Sequence, residues 1–130
     1  MEENLKELLL KDLCSRLPYG VFLSIDQYDG TTIRRMLTKV ECKNGEQCVY
    51  VEGNDCGPQS LLDIKPYLRP LSSMVEEEKE YLESLSDMKC ILGYAMDKVN
   101  FCLKRYLDIN GLIPMGLALV APEGMYNNEE

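Results

Sequence analysis

Two dipeptides, Asp29-Gly30 and Asn44-Gly45, decide what the middle of this 130-residue chain can become. Both reverse a strand readily, because glycine and short polar side chains reach the positive φ that tight hairpin turns require. The segments they separate are rich in β-formers. Gly20-Val-Phe-Leu-Ser-Ile25 is short, Thr31 to Cys42 is longer, and Gln47-Cys-Val-Tyr-Val51 returns after the second turn. A three-stranded antiparallel meander is the economical reading. Ile33, Leu37 and Val40 break strict alternation in the middle strand, which predicts a bulge near Arg35-Met36.

The flanks change period. Leu5, Leu8, Leu9, Asp12, Leu13, Arg16 and Leu17 recur at three- and four-residue spacing, and Pro18 with Gly20 stops the pattern, so the chain opens with a helix. After the loop-like Gly53-Asn-Asp-Cys-Gly-Pro58, Leu61, Leu62 and Ile64 predict a helical turn or a short strand. Pro66 and Pro70 then bracket an extended, stiffened connector. Ser73-Met-Val-Glu76 has capping-box spacing, and apolar residues from Tyr81 to Tyr106 recur with helical period. Ser84-Leu-Ser-Asp87 and Gly93 split that stretch into two helices, with Asp108-Ile-Asn-Gly111 ending the second. The apolar tail from Gly111 to Pro122 packs back on the core. The expected fold is therefore α+β, with an N-terminal helix, the meander and a C-terminal helical half. Residues 1–126 form one domain, and 127–130 form a short polar tail.

Chemistry is constrained by what is missing. The chain has no histidine, which removes the usual general base, the Ser-His and Cys-His pairs and the commonest metal ligand. Asp26 and Asp29 flank the first turn, where acidic residues serve turn geometry. Of the six cysteines, Cys42, Cys48 and Cys56 are spaced too widely for a structural zinc site, with Cys14 a remote fourth. Cys42 and Cys48 straddle the second turn and could face each other across the strands. The glycines form neither a Walker nor a Rossmann loop. No metal or cofactor is expected, and the reading is not that of an enzyme.

Charge narrows the partners. The net charge is −8, with Glu76, Glu77, Glu78, Glu80, Glu83 and Asp87 against Lys79 alone in one stretch. Such a chain repels nucleic-acid backbones and anionic membranes, so neither is expected as a partner. The acidic run suits the first turn of a helix, where the dipole favours negative charge, and its sharper reading is an acidic DNA mimic. Alternation along the second strand puts Arg35, Lys39 and Lys43 on one face, an anion patch if it is not simply a solvated strand edge. No apolar run approaches the roughly 18 residues of a membrane span, and the N-terminus has no signal-like pattern. A cytoplasmic location with reduced cysteines follows as the expectation.

Several phrases carry a resemblance. Leu17-Pro-Tyr-Gly-Val21, Ile64-Lys-Pro-Tyr-Leu-Arg-Pro-Leu-Ser-Ser-Met74, Gly111-Leu-Ile113 and Gly116-Leu-Ala-Leu-Val-Ala-Pro-Glu-Gly-Met-Tyr126 resemble a family of short proteins from gut anaerobic bacteria and their phages. The resemblance implies provenance and not an activity. Members often carry a His pair where Arg105 and Tyr106 stand here. The function expected from all this is a protein-interaction or regulatory module, binding a protein partner or a second copy of itself. The alternative is a small-ligand or sequestering protein, with Tyr19, Tyr50, Tyr67 and Arg69 lining a pocket for an anionic or aromatic ligand.

Overall fold

The computed structural model describes residues 3–27, 29–43, 46–53, 57–85 and 91–126. Helix α1 (Glu3–Arg16) leads into β1 (Phe22–Asp26), β2 (Thr32–Lys43) and β3 (Glu46–Val51). Two-residue β4 (Gln59–Ser60) and a 3-10 turn precede β5 (Ile64–Leu68). Helices α2 (Glu76–Leu85) and α3 (Ile91–Lys104) follow, and β6 (Leu119–Val120) closes the order. The strands form one mixed sheet in the order β4-β3-β2-β1-β5-β6. The α+β class and the antiparallel β1-β2-β3 meander are present, but the meander is only the centre of a wider sheet. The C-terminal part is not purely helical, because it contributes β5 antiparallel to β1 and β6 parallel to β5.

The stiff connector is therefore a strand. Its ladder with β1 covers Ile64 to Pro66, and its ladder with β6 covers Tyr67 and Leu68. Pro66 sits where pairing passes from one neighbour to the other, a position at which a missing N–H is tolerated. Ile64, Pro66 and Leu68 are buried while Lys65 is exposed, so the period of two is present in the sequence.

One face of the sheet carries the core. Leu23 and Ile25, Leu37, Val49 and Val51, and Ile64 and Leu68 meet Leu9 and Leu13 of α1, together with Leu112, Leu117 and Ala118 from the apolar tail. The bulge lies between Leu37 and Lys39, later in β2 than Arg35-Met36. Its position follows from the core: Leu37 pairs with Val51 and Val40 with Val49, so an odd spacing must be absorbed between them.

The Asn44-Gly45 dipeptide lies outside the described residues, as do Cys56, Cys90, Ser86-Asp87 and the tail 127–130. Lys43 pairs with Glu46, so Cys42 opposes Gln47 and Cys48 opposes Glu41. The two cysteines do not face each other. Cys14, Cys42, Cys48 and Cys102 are free thiols.

Strands β1 and β5 part company beyond the Leu23–Pro66 pair, and Tyr126 fills the gap. Its hydroxyl accepts from Phe22 N–H at 2.9 Å and donates to the Tyr67 carbonyl at 2.8 Å. A side chain thus replaces the next rung of the ladder. Burial pushes the Tyr126 hydroxyl well above the ordinary tyrosine range, which keeps it a donor. Replacing it by Phe leaves a strand N–H and a strand carbonyl without partners. Tyr126→Phe should destabilise the fold by about 2 kcal/mol in urea denaturation; a change near zero would show that the hydroxyl bridge carries no weight.

Candidate functional site

The C-terminus of α3 is where residues of α1, the end of β5, α2 and the C-terminal tail meet. Helices end with carbonyls that lack partners, commonly capped by a left-handed glycine. Here the left-handed residue is Tyr106, at φ 64°. Leu107 N–H donates to the Cys102 carbonyl at 2.9 Å and Tyr106 N–H to that of Leu103 at 3.1 Å, the paired bonds of a Schellman turn. The helix therefore ends before Asp108-Ile-Asn-Gly111, and Asp108 has another task. Its buried carboxylate accepts from Leu112 N–H at 2.7 Å and Ile113 N–H at 3.0 Å, starting the tail. A left-handed tyrosine costs about 1 kcal/mol. Its ring stacks on Tyr126 at 3.7 Å between centroids, and its hydroxyl donates to the Tyr19 carbonyl, which offset that cost.

Two arginines take the carbonyls that follow. Arg69 N–H donates to Tyr106 O at 2.8 Å, Arg69 Nη1 donates to Arg105 O at 3.3 Å, and Arg16 Nη2 donates to Leu107 O at 2.8 Å. Cations at a helix C-terminus also complement its dipole. Arg16 is fully buried, and its partner is Asp12 one turn earlier on α1, at 2.7 Å. Asn110 donates to the same carboxylate. The two charges sit in the apolar stripe of α1 at i and i+4, a spacing that pairs them on one face.

Arg69 is spent within the chain. Its Nη1 and Nη2 donate to Glu78 at 2.9 and 2.8 Å, its Nε donates to Ser73 Oγ, and its Nη2 also reaches the Ser73 carbonyl. With Arg105 O, every guanidinium donor direction is occupied. Glu78 accepts in addition from Val75 N–H at 3.0 Å and lies 3.4 Å from Arg105 Nη1. The half capping box at α2 is thus Val75–Glu78, and Ser73 instead donates to Pro70 O within a 3-10 turn. Glu78 belongs to the acidic run yet is buried, so one charge of that run is structural.

Beside Arg69 runs a groove of about 430 Å³ between residues 69–73 and 120–126. Pro70, Val120, Ala121, Pro122 and Tyr126 give it apolar walls, and Ser73 and Glu123 add polar groups. The predicted ligand residues do not converge on it. Tyr19 lines a separate depression with Tyr81 and Phe101, and Tyr67 lines another with Ser24 and Lys65. Tyr50 lies on β3 under the Lys39 ammonium, 4.8 Å from the ring centroid. Only Arg69 borders the groove. The basic stripe is also divided: Arg35 pairs with buried Leu23, while beyond the bulge Lys39 pairs with Tyr50 on the opposite face. Lys43 ends the strand opposite Glu46. Asp29 behaves as a turn residue, accepting from Thr31 N–H and Oγ1.

Among the described residues no three Cys, Asp or Glu side chains converge as metal ligands, and no helix is long and apolar enough to cross a membrane. No family model matches this chain, and no curated protein or solved structure matches it either.

Glu78 yields a prediction in pH. The Arg69 guanidinium holds its carboxyl below the ordinary 4.5, against burial. A lowered native pKa contributes stability that is complete above the unfolded value and lost as pH falls through the native one. Glu78→Gln should cost about 3 kcal/mol at neutral pH. It should also flatten the loss of stability below about pH 4.5 in denaturant titrations. An unchanged acid limb would mean that Arg69 and Glu78 do not interact in solution.

Proposed function

We propose that this chain is a non-enzymatic interaction or regulatory module, encoded by a phage or mobile element, that takes an extended apolar segment of a partner protein beside β6. The groove wall carries the reading. Val120 is 55% exposed and lines the groove with Pro70, Ala121 and Pro122, while Leu71 and Val75, close in sequence to its Pro70 and Ser73, are 47% and 54% exposed. Exposed apolar surface gathered beside a groove is characteristic of a binding face. Among the described residues β6 is also one of the two edge strands of the sheet, so an extended segment can add to it through main-chain bonds while side chains enter the groove. With Arg69 neutralised by Glu78, the groove offers an anion no vacant cation. Glu123 on its rim favours a partner with a nearby Lys or Arg.

A small-ligand role is the second reading, supported by a volume inside the range of roughly 300–1,000 Å³ typical of ligand pockets. Arg69 and Ser73 of its lining are already hydrogen-bonded within the chain, which leaves Glu123 as the charged group free to meet a ligand and favours a peptide. The test compares the tagged protein with Val120→Asp, each purified gently from cells that naturally make the chain and weighed intact by native mass spectrometry. A stoichiometric protein partner that falls at least about tenfold with Val120→Asp supports the reading. A partner retained by the variant moves the interface elsewhere, and a bound small molecule in place of a protein favours the second reading.

A further inference from the structure

The edge of β2 facing away from β3 is only half used. β1 pairs with Thr32 to Met36, and Leu37 N–H makes one last bond to the Val21 carbonyl at 2.9 Å. The chain before Val21 then leaves the sheet: Gly20 takes φ +78° and donates its N–H to the Arg16 carbonyl, turning the backbone into α1. β3 continues along the other side of β2 as far as Lys43. Among the described residues, Thr38 to Cys42 therefore have no strand on the β1 side. A bare strand edge is a template for another strand.

Its charges choose the occupant. Lys39 and Glu41 flank half-buried Val40, and they lie 3.7 Å apart with 56% and 36% of their side chains exposed. An antiparallel copy of the same edge centred on Val40 places Lys39 opposite Glu41 and Glu41 opposite Lys39. It also sets Val40 against Val40 and Thr38 against Cys42. A parallel, in-register copy sets like charges together, which opposite strand positions disfavour. We infer that two copies of this chain associate about a two-fold axis through Val40, joining their β2 edges by antiparallel pairing over residues 38–42. The surface is self-complementary, as a two-fold contact must be. It is separate from the β6 groove, so each copy in the pair keeps that groove open.

β1 limits the overlap to five residues, well under the area of a permanent interface. Association is accordingly reversible and dependent on concentration. Sedimentation equilibrium over micromolar to submillimolar protein, with amide hydrogen exchange at both ends of that range, tests the inference. The wild type should pass from monomer to dimer, with concentration-dependent protection confined to residues 38–42. Glu41→Lys sets lysines opposite lysines and should weaken the dimer at least about tenfold, while the swap Lys39→Glu with Glu41→Lys should restore it. Both sites are at the surface, and circular dichroism confirms that the variants fold. A wild type that stays monomeric throughout overturns the inference, as does a dimer indifferent to Glu41→Lys.

Discussion

The left-handed turn after α3 is the point on which the two halves of the molecule depend. Three successive carbonyls, at Arg105, Tyr106 and Leu107, have outrun the helix and need donors. Arg69 from the end of β5 supplies two of them and Arg16 from α1 supplies the third. The sheet, the first helix and the last helix are tied together at one place. Each arginine is in turn neutralised by a buried carboxylate, Glu78 or Asp12. Buried ion pairs of this kind contribute little net stability against apolar replacements, but losing one partner is expensive. They act here as positioning devices for the turn, because the directions of the guanidinium donors fix where the Arg105 and Leu107 carbonyls can sit, while the Arg69 backbone N–H holds that of Tyr106.

That arrangement sets the character of the surface beside it. Glu78 withdraws one carboxylate from the acidic run and cancels Arg69, so the groove between residues 69–73 and 120–126 combines apolar Pro70, Val120, Ala121 and Pro122 with Ser73 and one uncancelled charge, Glu123. The same turn presents Tyr106 to Tyr126, and Tyr126 reaches between β1 and β5. A change at the end of α3 is therefore felt in the sheet through a stacked ring pair and a single hydroxyl.

Much of the local structure was legible in the sequence, because turn dipeptides and apolar periods report on neighbours in the chain. The helix ending at Arg16 and the antiparallel pairing of β1, β2 and β3 follow from such signals, whereas Gly93, expected at a break, lies inside α3. What escaped was non-local. Pro66 hid a strand that needs β1 on one side and β6 on the other. The shift at Leu37–Lys39 divided Arg35 from Lys39 because the core, not the strand's own pattern, decides where the extra residue goes. Tyr19, Tyr50 and Tyr67 suit half-buried positions equally well in many places, and nothing in their spacing said that they would lie apart. Asp12 and Arg16 gave the clearest overlooked signal, an i,i+4 ion pair inside an apolar stripe.

Hydrogen exchange of an Arg69→Met variant measures the dependence on the turn most directly. If Arg69 holds the turn, exchange accelerates in α2, in residues 105–108 and in β6, while the β1-β2-β3 ladder keeps its protection. Undiminished protection at residues 105–108, or an equal loss throughout the meander, would contradict that dependence.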